Sequence, residues 1–203
     1  MIKNIVFDFG NVLVTWDEAQ LAANYSDDIN EQNIIKEVFF KSATWNQLDK
    51  GDITNDEAKK IFEENLPDNL KEKVEIIMNT WYKKLPINDE MCNLIRRLKQ
   101  NNYKIYALSN THISMYEYVK SIDVGKYFDG FLISAIERMM KPNEEIYYRL
   151  YERFKLLPEE CFFIDDNEKN IIAGQKTGMK GHIFDKNNFE KLEQDLRKNN
   201  VQI

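Results

Sequence analysis

Apolar and polar residues follow two different patterns along the chain. Residues 3–9 form a short apolar run, rich in Ile, Val and Phe, which predicts a buried β-strand. From about residue 16 to residue 85, apolar residues recur at helical spacing and nothing predicts a strand. One apolar stripe, residues 58–66, follows Thr54–Glu57, whose sequence is typical of a capping box. This first part of the chain is therefore expected to be one strand followed by helices.

Beyond Pro86 the pattern changes to strands that alternate with helices. Strands are predicted at 104–108, 131–134, 161–164 and 182–184, each followed by a helix. Such alternation produces right-handed crossovers in a mostly parallel sheet, to which the opening strand also belongs. We expect an α/β, doubly wound, Rossmann-like core made of residues 1–14 and 87–203. Residues 15–86 would be an all-helical insertion.

Composition limits the partners of this chain. Its 203 residues are 43% hydrophobic and carry a formal net charge of −6, whereas proteins that bind nucleic-acid phosphates are usually basic. No apolar stretch is long enough to cross a bilayer, and no signal-peptide layout precedes the first strand. Cys92 and Cys161 lie in apolar patterns and are interpreted as reduced core thiols. We expect a cytoplasmic protein that acts on a small metabolite and binds neither nucleic acid nor membrane; its oligomeric state is not indicated.

Four groups of polar residues follow predicted strands or open a helix, namely Asp8, Ser109–Thr111, Lys141 and Asp165–Asp166. Each group alone is more often a helix cap or a solvated side chain. The two adjacent carboxylates of Asp165 and Asp166 repel each other unless a cation or a proton relieves them. Ligands in open α/β sheets bind beyond the carboxyl ends of the strands, so four such groups predict a site at that edge.

The chemistry of these side chains suits phosphoryl transfer. Carboxylates from two strands can hold Mg²⁺, which prefers one or two carboxylates together with waters and a phosphate oxygen. Asp8 can attack phosphorus and form an aspartyl-phosphate. The Ser109 hydroxyl and nearby backbone N–H groups can hold phosphoryl oxygens, while Lys141 supplies positive charge and keeps Asp8 ionised.

The order and spacing of these residues resemble those of the haloacid dehalogenase-like hydrolases. The closest branch is the phosphatases with a helical (C1-type) cap inserted after the first strand. The matching stretches are VFDFGNVLV with Asp8, YALSNTH with Ser109, MMKPNEEIY with Lys141, and FFIDDNEKNIIAGQKTGM with Asp165 and Asp166. The stretch LDKGDITNDEAKKIF is also similar to the caps of that branch.

This resemblance implies three overlapping sets of site residues. The catalytic set would be Asp8 as the nucleophile, Ser109 and Lys141. The phosphoryl group would be bound by Gly10, Asn11, Ser109, Asn110 and Lys141. A Mg²⁺ ion would be bound by Asp8, the Gly10 carbonyl and Asp166, with Asp165 nearby or coordinating. The cap would close over the substrate and set specificity.

Gly10 departs from the pattern of most phosphatases of this family. They carry a second aspartate two residues after the nucleophile, which acts as general acid and base. A subset that resembles sugar-phosphate phosphatases reads Asp-x-Gly-Asn-Val, as this chain does. A positioned acid or base is worth roughly 10²–10⁴-fold in rate. We therefore expect an active Mg²⁺-dependent phosphatase of a small metabolite, for example a hexose 1-phosphate. It would favour good leaving groups or recruit an acid from the cap or the substrate.

Other functions remain open from the sequence alone. A metal-independent 2-haloacid dehalogenase would share the fold and the Asp nucleophile, but would not need Asp165 and Asp166. A non-catalytic binding or scaffold module would retain the fold and account for Gly10, whereas a phosphomutase would rely on the missing second aspartate. His112 and Asp17 are interpreted as helix-start residues, and Trp81 as a packing residue rather than part of a substrate pocket.

Overall fold

A five-stranded parallel sheet forms the centre of the computed structural model, which describes residues 1–203. In the spatial order β3-β2-β1-β4-β5, the strands are β1 (Asn4–Phe7), β2 (Lys104–Ser109), β3 (Gly130–Ile133), β4 (Cys161–Asp165) and β5 (Lys180–Ile183). Phe7 of the central strand lies opposite Ala107 of β2 and Ile164 of β4. The predicted doubly wound α/β fold is confirmed.

Helices account for most of the remaining chain. The α-helices are α1 (Glu18–Ala23), α2 (Ile29–Ile35), α3 (Ala43–Lys50), α4 (Asn55–Asn65), α5 (Asp68–Lys71), α6 (Lys73–Thr80), α7 (Asp89–Gln100), α8 (Ile113–Ser121), α9 (Ser134–Glu137), α10 (Glu144–Phe154), α11 (Glu168–Lys176) and α12 (Phe189–Lys198). A π-helical turn at Lys36–Phe40 follows α2, and a 3-10 turn at Trp81–Lys84 follows α6. No helix combines the length and the apolar composition that a bilayer crossing requires.

Side chains of β1 alternate between two hydrophobic cores, because successive residues of a strand point to opposite faces. Ile5 and Phe7 belong to the larger core, together with apolar residues of α7, α8 and α12. Val6 belongs to the smaller core, together with apolar residues of α10 and α11. The sheet is therefore covered on both faces, and only its edges and strand ends are left for a site.

The helical segment α1–α6 leaves the sheet and returns to it at one point. Val14 forms an antiparallel bridge with Ile87. The Thr15 amide donates to the Pro86 carbonyl at 2.8 Å, and the Asn88 amide donates to the Leu13 carbonyl at 2.9 Å. This crossing brings α1–α6 over the carboxyl end of β1, which is the end that carries Asp8.

Local sequence signals are reproduced with small shifts. The first strand ends at Phe7 rather than at residue 9, because the Phe9 carbonyl accepts the amides of Val12, Leu13 and Val14 and turns the chain. The last strand begins at Lys180, two residues earlier than predicted. The capping box is confirmed: Glu57 accepts the Thr54 amide at 2.8 Å, and Thr54 accepts the Glu57 amide at 3.3 Å. Both cysteines are free and buried, as predicted.

Candidate active site

Three neighbouring strands place their terminal polar residues side by side. Asp8 directly follows β1, Ser109 ends β2 and Asp165 ends β4, and β1 lies between the other two strands. Lys141 reaches the same place from the loop between α9 and α10, and its side chain is fully buried. We use the name floor for the set Asp8, Ser109, Lys141, Asp165 and Asp166.

Lys141 links the two central carboxylates of the floor. Its ammonium nitrogen lies 3.0 Å from Asp8 Oδ1 and 2.6 Å from Asp165 Oδ2. Burial alone would lower the pKa of Lys141, but the Asp8 and Asp165 carboxylates raise it above its usual value. The buried ammonium is therefore charged and paired, which offsets the desolvation of all three groups.

Asp8 is the floor residue whose ionised form is least stabilised by the protein. Burial raises the pKa of Asp8 to about 7, although the Lys141 ammonium and a hydrogen bond from the Ser109 hydroxyl both lower it. The amide of Phe9 also donates to Asp8 Oδ1 at 2.7 Å. A cation bound beside this carboxylate would lower its pKa further and favour the ionised form that a nucleophile requires.

Asp165 is engaged entirely by groups of the protein. Its two oxygens accept hydrogen bonds from the Lys141 ammonium at 2.6 Å, the Asn167 amide at 2.8 Å, and the Asn170 side chain at 3.0 and 3.1 Å. The side chain is fully buried. Asp165 therefore orients Lys141, and direct coordination of a metal by Asp165 stays a prediction.

The floor fits a hard divalent cation. Carboxylate oxygens of Asp8, Asp165 and Asp166 lie within 4.8 Å of one another. The Gly10 carbonyl accepts no backbone hydrogen bond, so it is also available as a ligand. Burial raises the pKa of Asp166, so an adjacent cation would stabilise its carboxylate as well. Oxygen donors of this kind are the ligands that Mg²⁺ prefers.

Asn11 and Asn110 use their side chains to position other site residues. The Asn11 amide group donates to Asp166 Oδ2 at 2.9 Å and accepts the Trp16 backbone N–H at 3.0 Å. The Asn110 amide group donates to the Lys141 carbonyl and accepts the Lys141 N–H, both at 2.8 Å. The sequence predicts both asparagines as phosphate ligands. Each side-chain NH₂ group has a second N–H, so the role of both asparagines as phosphate ligands stays a prediction.

A cavity of about 280 Å³ lies above the floor. We use the name roof for the residues of α1–α6 and their connections that enclose it opposite Asp8, namely Trp16, Phe40, Trp45, Asn46, Asp49 and Trp81. The ring centroids of Trp45 and Trp81 are 4.9 Å apart, and those of Trp16 and Trp81 are 5.8 Å apart. Trp81 is buried, as predicted, and the tryptophans both pack together and line the cavity.

His112 and Asp17 begin helices, as the sequence predicts. Asp17 caps α1 by accepting the amides of Ala19 and Gln20, both at 3.0 Å. His112 caps α8: its Nδ1 accepts the Ser114 amide, which leaves the proton on Nε2 for the Asn55 side-chain oxygen. Burial lowers the pKa of His112 to about 4, so the imidazole is neutral at neutral pH.

Asp49 is a cavity residue that the sequence analysis missed. It lies on α3 and lines the cavity together with Asp8. Burial raises the pKa of its carboxyl group well above the usual value, although the nearby backbone N–H of His112 lowers it. Residues four apart share a helix face, so the position of Asp49 after the apolar Trp45 was the available signal.

Comparisons with known proteins agree with this geometry. The sequence profile of the haloacid dehalogenase-like hydrolases matches residues 2–178. The chain is 27% identical to sesquiterpene phosphatase astK of Aspergillus oryzae, over 90% of each protein. It is 26% identical to D-ribitol-5-phosphate phosphatase of Bacteroides thetaiotaomicron, over 88% of this chain and 90% of that protein.

Solved structures show the same architecture. A haloacid dehalogenase (HAD) family enzyme of Bacteroides thetaiotaomicron, in complex with magnesium and inorganic phosphate, superimposes with a TM-score of 0.70 and 29% identity over 90% of this chain and 93% of that one. The L-2-haloacid dehalogenase of Xanthobacter autotrophicus gives a TM-score of 0.67 at 19% identity, over 89% of this chain and 76% of that one, and shares the fold. From the profile match across most of its length, together with the arrangement of the floor, the chain belongs to the haloacid dehalogenase-like hydrolases.

Proposed function

We propose that this hydrolase cleaves the phosphate monoester of a small metabolite, with Mg²⁺, through an aspartyl-phosphate on Asp8. The observation that carries the proposal is the pairing of Asp8 with the buried Lys141 ammonium, 3.0 Å away, at the floor of a cavity. The neighbouring Asp166 gives that floor a second carboxylate for a cation. A carboxylate held between two positive charges is suited to attack phosphorus. The same positive charges also offset the negative charge of the phosphoryl oxygens.

Each floor residue has a defined task in this proposal. Asp8 attacks the phosphorus atom, and the Lys141 ammonium stabilises the negative charge of the phosphoryl oxygens. The Ser109 hydroxyl and the Gly10 amide, which makes no backbone hydrogen bond, donate to those oxygens. Asp165 keeps Lys141 in place. When bound by Asp8, Asp166 and the Gly10 carbonyl, Mg²⁺ supplies positive charge beside the phosphoryl group.

The cavity supports a substrate of metabolite size. Ligand sites commonly occupy roughly 300–1,000 Å³, and the cavity of about 280 Å³ is just below that range, which suits a small substrate. The aromatic roof favours a substrate with an apolar face, such as the ring of a sugar. A hexose 1-phosphate remains our example of such a substrate. Residues 15–86 would act as the cap that closes over it and excludes water.

Phosphate release tests this proposal. A panel of phosphorylated metabolites is incubated with the protein and Mg²⁺, and each assay is repeated with EDTA. We expect EDTA to abolish phosphate release from the preferred ester. Asp8→Asn should lower kcat by about 10⁴-fold or more, whereas the same exchange at the exposed helix cap, Asp17→Asn, should not affect activity.

Two outcomes would contradict the proposal. One is the absence of phosphate release from every ester, which would favour a binding or scaffold module. The other is halide release from a 2-haloacid at a rate that EDTA does not change, which would favour a dehalogenase. Mass spectrometry of the quenched reaction should show one phosphoryl group on the peptide that contains Asp8.

A further inference from the structure

The cavity has two carboxyl groups outside the floor, Glu18 and Asp49. Glu18 Oε1 already accepts the indole N–H of Trp16 at 2.9 Å. Asp49 reaches the cavity from α3 and lines it together with Asp8. On the basis of the proposed function, we infer that Asp49 is a catalytic residue that gives the proton to the leaving oxygen of the ester. It then takes a proton from the water that attacks the aspartyl-phosphate.

A proton donor from elsewhere in the chain is needed because residue 10 is a glycine. A carboxyl group two residues after the nucleophile would lie beside the leaving group, but glycine has none. A Cβ atom at Gly10 would meet nothing within 4 Å, so the position is open space rather than a site filled by another acid of β1 or its loop. An alcohol leaves phosphorus slowly as an alkoxide, and a positioned acid accelerates that step by roughly 10²–10⁴-fold.

Contacts with the core fix the position of Asp49. Its backbone carbonyl accepts the Ser134 hydroxyl, and its carboxyl group lies beside the backbone of His112 at the start of α8. Gly51, two residues later, has φ +78°, and a Cβ atom there would lie 2.2 Å from the Ala135 carbonyl oxygen. The end of α3 is therefore held directly against α8 and α9. Asp49 is located by contacts with the core, and not by the roof alone.

The charges around Asp49 favour its neutral, proton-donating form. The other titratable groups that line the cavity are Asp8, Asp166 and Glu18, and the backbone of His112 lies beside the Asp49 carboxyl group. Lys141 is occupied by Asp8 and Asp165, and His112 is neutral because burial lowers its pKa to about 4. No free cation therefore stabilises an Asp49 carboxylate, and burial raises its pKa well above the usual value. Such a carboxyl group can act as an acid at neutral pH.

The two half-reactions balance. In the first, the Asp8 carboxylate forms a bond to phosphorus, the bond from phosphorus to the ester oxygen breaks, and that oxygen takes the Asp49 proton and leaves as an alcohol. In the second, a water oxygen bonds to phosphorus while the Asp49 carboxylate takes one of its protons. The bond between Asp8 and phosphorus then breaks, which releases inorganic phosphate and restores both carboxyl groups.

Leaving-group dependence tests the role of Asp49. An alkyl phosphate needs a proton on its leaving oxygen, whereas p-nitrophenyl phosphate releases a stable phenolate. Asp49→Asn should lower kcat/KM, which reports the first half-reaction, by about 10²–10³-fold on the alkyl ester and by less than about threefold on p-nitrophenyl phosphate. It should also remove the fall in kcat/KM at high pH that we expect of the wild type with the alkyl ester. Glu18→Gln, the matched exchange at the second carboxyl group, should leave the ratio of the two rates unchanged.

A second variant gives an independent measurement. Gly10→Asp places a carboxyl group in the open space beside Asp8. In the Asp49→Asn background, this exchange should raise kcat/KM on the alkyl ester at least about tenfold. Equal losses of kcat/KM on both esters, no loss on either, or a selective loss in Glu18→Gln would each overturn the role of Asp49. If wild-type protein releases phosphate from neither ester, the proposed function itself fails and this inference with it.

Discussion

The floor and the roof of the cavity are built by opposite means. The floor consists of charged groups whose positions are fixed by short contacts with one another, such as the Lys141 ammonium 2.6 Å from Asp165. The roof consists mainly of aromatic rings that pack on one another, such as Trp45 and Trp81 with centroids 4.9 Å apart. Directional contacts locate an atom within narrow limits, whereas packing of rings fixes a shape and a volume.

This difference suggests that the floor carries out catalysis and the roof selects the substrate. The floor is composed of strand ends of the sheet, and its side chains leave little freedom for the attacking carboxylate. The roof belongs to a helical segment outside the sheet, so we expect that its shape can vary without moving Asp8. We expect changes in the floor to affect catalysis and folding, and changes in the roof to affect the choice of substrate.

The largest expected effect is the loss of the cation at the centre of the floor. Lys141→Met leaves the buried carboxylates of Asp8 and Asp165 unpaired, so we expect a loss of about 3–5 kcal/mol in the free energy of unfolding, measured with urea in the presence of EDTA. Lys3→Met removes an exposed ion pair with Glu160 instead and should cost less than about 1 kcal/mol. Equal costs for the two variants would mean that the floor is not a tightly coupled unit.

His112, at the start of α8, contacts Asn55 of the helical segment, and its contribution to the free energy of unfolding depends on pH. Its pKa is about 4 in the folded protein and about 6.5 when unfolded, so the unfolded state binds more protons between these values and stability falls as the pH is lowered through them. Relative to His112→Gln, the wild type should lose up to about 3 kcal/mol between pH 6.5 and pH 4. Above pH 7 the difference should be constant, which serves as the control. A constant difference over the whole range would contradict a neutral buried imidazole.

Gly51 tests how closely the roof must approach the core. Gly51→Ala introduces both a strained φ of +78° and a Cβ atom 2.2 Å from the Ala135 oxygen, so we expect a loss of about 2 kcal/mol in thermal unfolding. Gly10→Ala is the matched control, since a Cβ atom there meets nothing within 4 Å, and should change stability by less than about 0.5 kcal/mol. If both exchanges cost the same, the contact of α3 with α9 does not constrain the roof.

The smallest expected effect belongs to the aromatic surface of the roof. Trp16 lies about 6 Å, between ring centroids, from Phe40 and from Trp45. Trp16→Leu should raise KM for the preferred ester about tenfold, because the substrate loses a ring contact. Inhibition by inorganic phosphate, which needs only the floor, should stay unchanged. A parallel loss of phosphate inhibition would show that roof and floor do not act separately.

The same contrast explains what the sequence could predict. Asp8, Ser109 and Asp165 each end a short apolar run, and parallel strand ends meet at one edge of a sheet, so their proximity follows from the order of the elements. Lys141 has no strand of its own, and its place at the same edge was predicted from its position at the start of a helix that follows a strand. The fold class followed from the alternation of strands and helices after Pro86, while strand limits shifted by up to two residues.

Side-chain direction and the contacts of the roof could not be predicted in this way. Asn11 and Asn110 have the chemistry of phosphate ligands, but the turn at Asn11, with φ 53°, and the loop of Lys141 direct their amides to other site residues. Asp49 stands in an ordinary helical pattern, and its place in the cavity depends on the contact of α3 with Ser134, far away in the chain. Such contacts come from the packing of whole helices, which a local pattern does not contain.

Because α3 docks on Ser134, proton donation by Asp49 should depend on the size of the bound phosphate ester. A phosphate ester that fits under the roof allows Asp49 to reach the ester oxygen. We expect a bulkier ester to place its phosphoryl group on the floor but to hold α3 away from the core, which would keep the Asp49 carboxyl group out of reach of the ester oxygen. Oversized alkyl esters should therefore bind as competitive inhibitors instead of being hydrolysed slowly. The enzyme would then select substrates by size, because only an ester that fits brings the Asp49 carboxyl group into position.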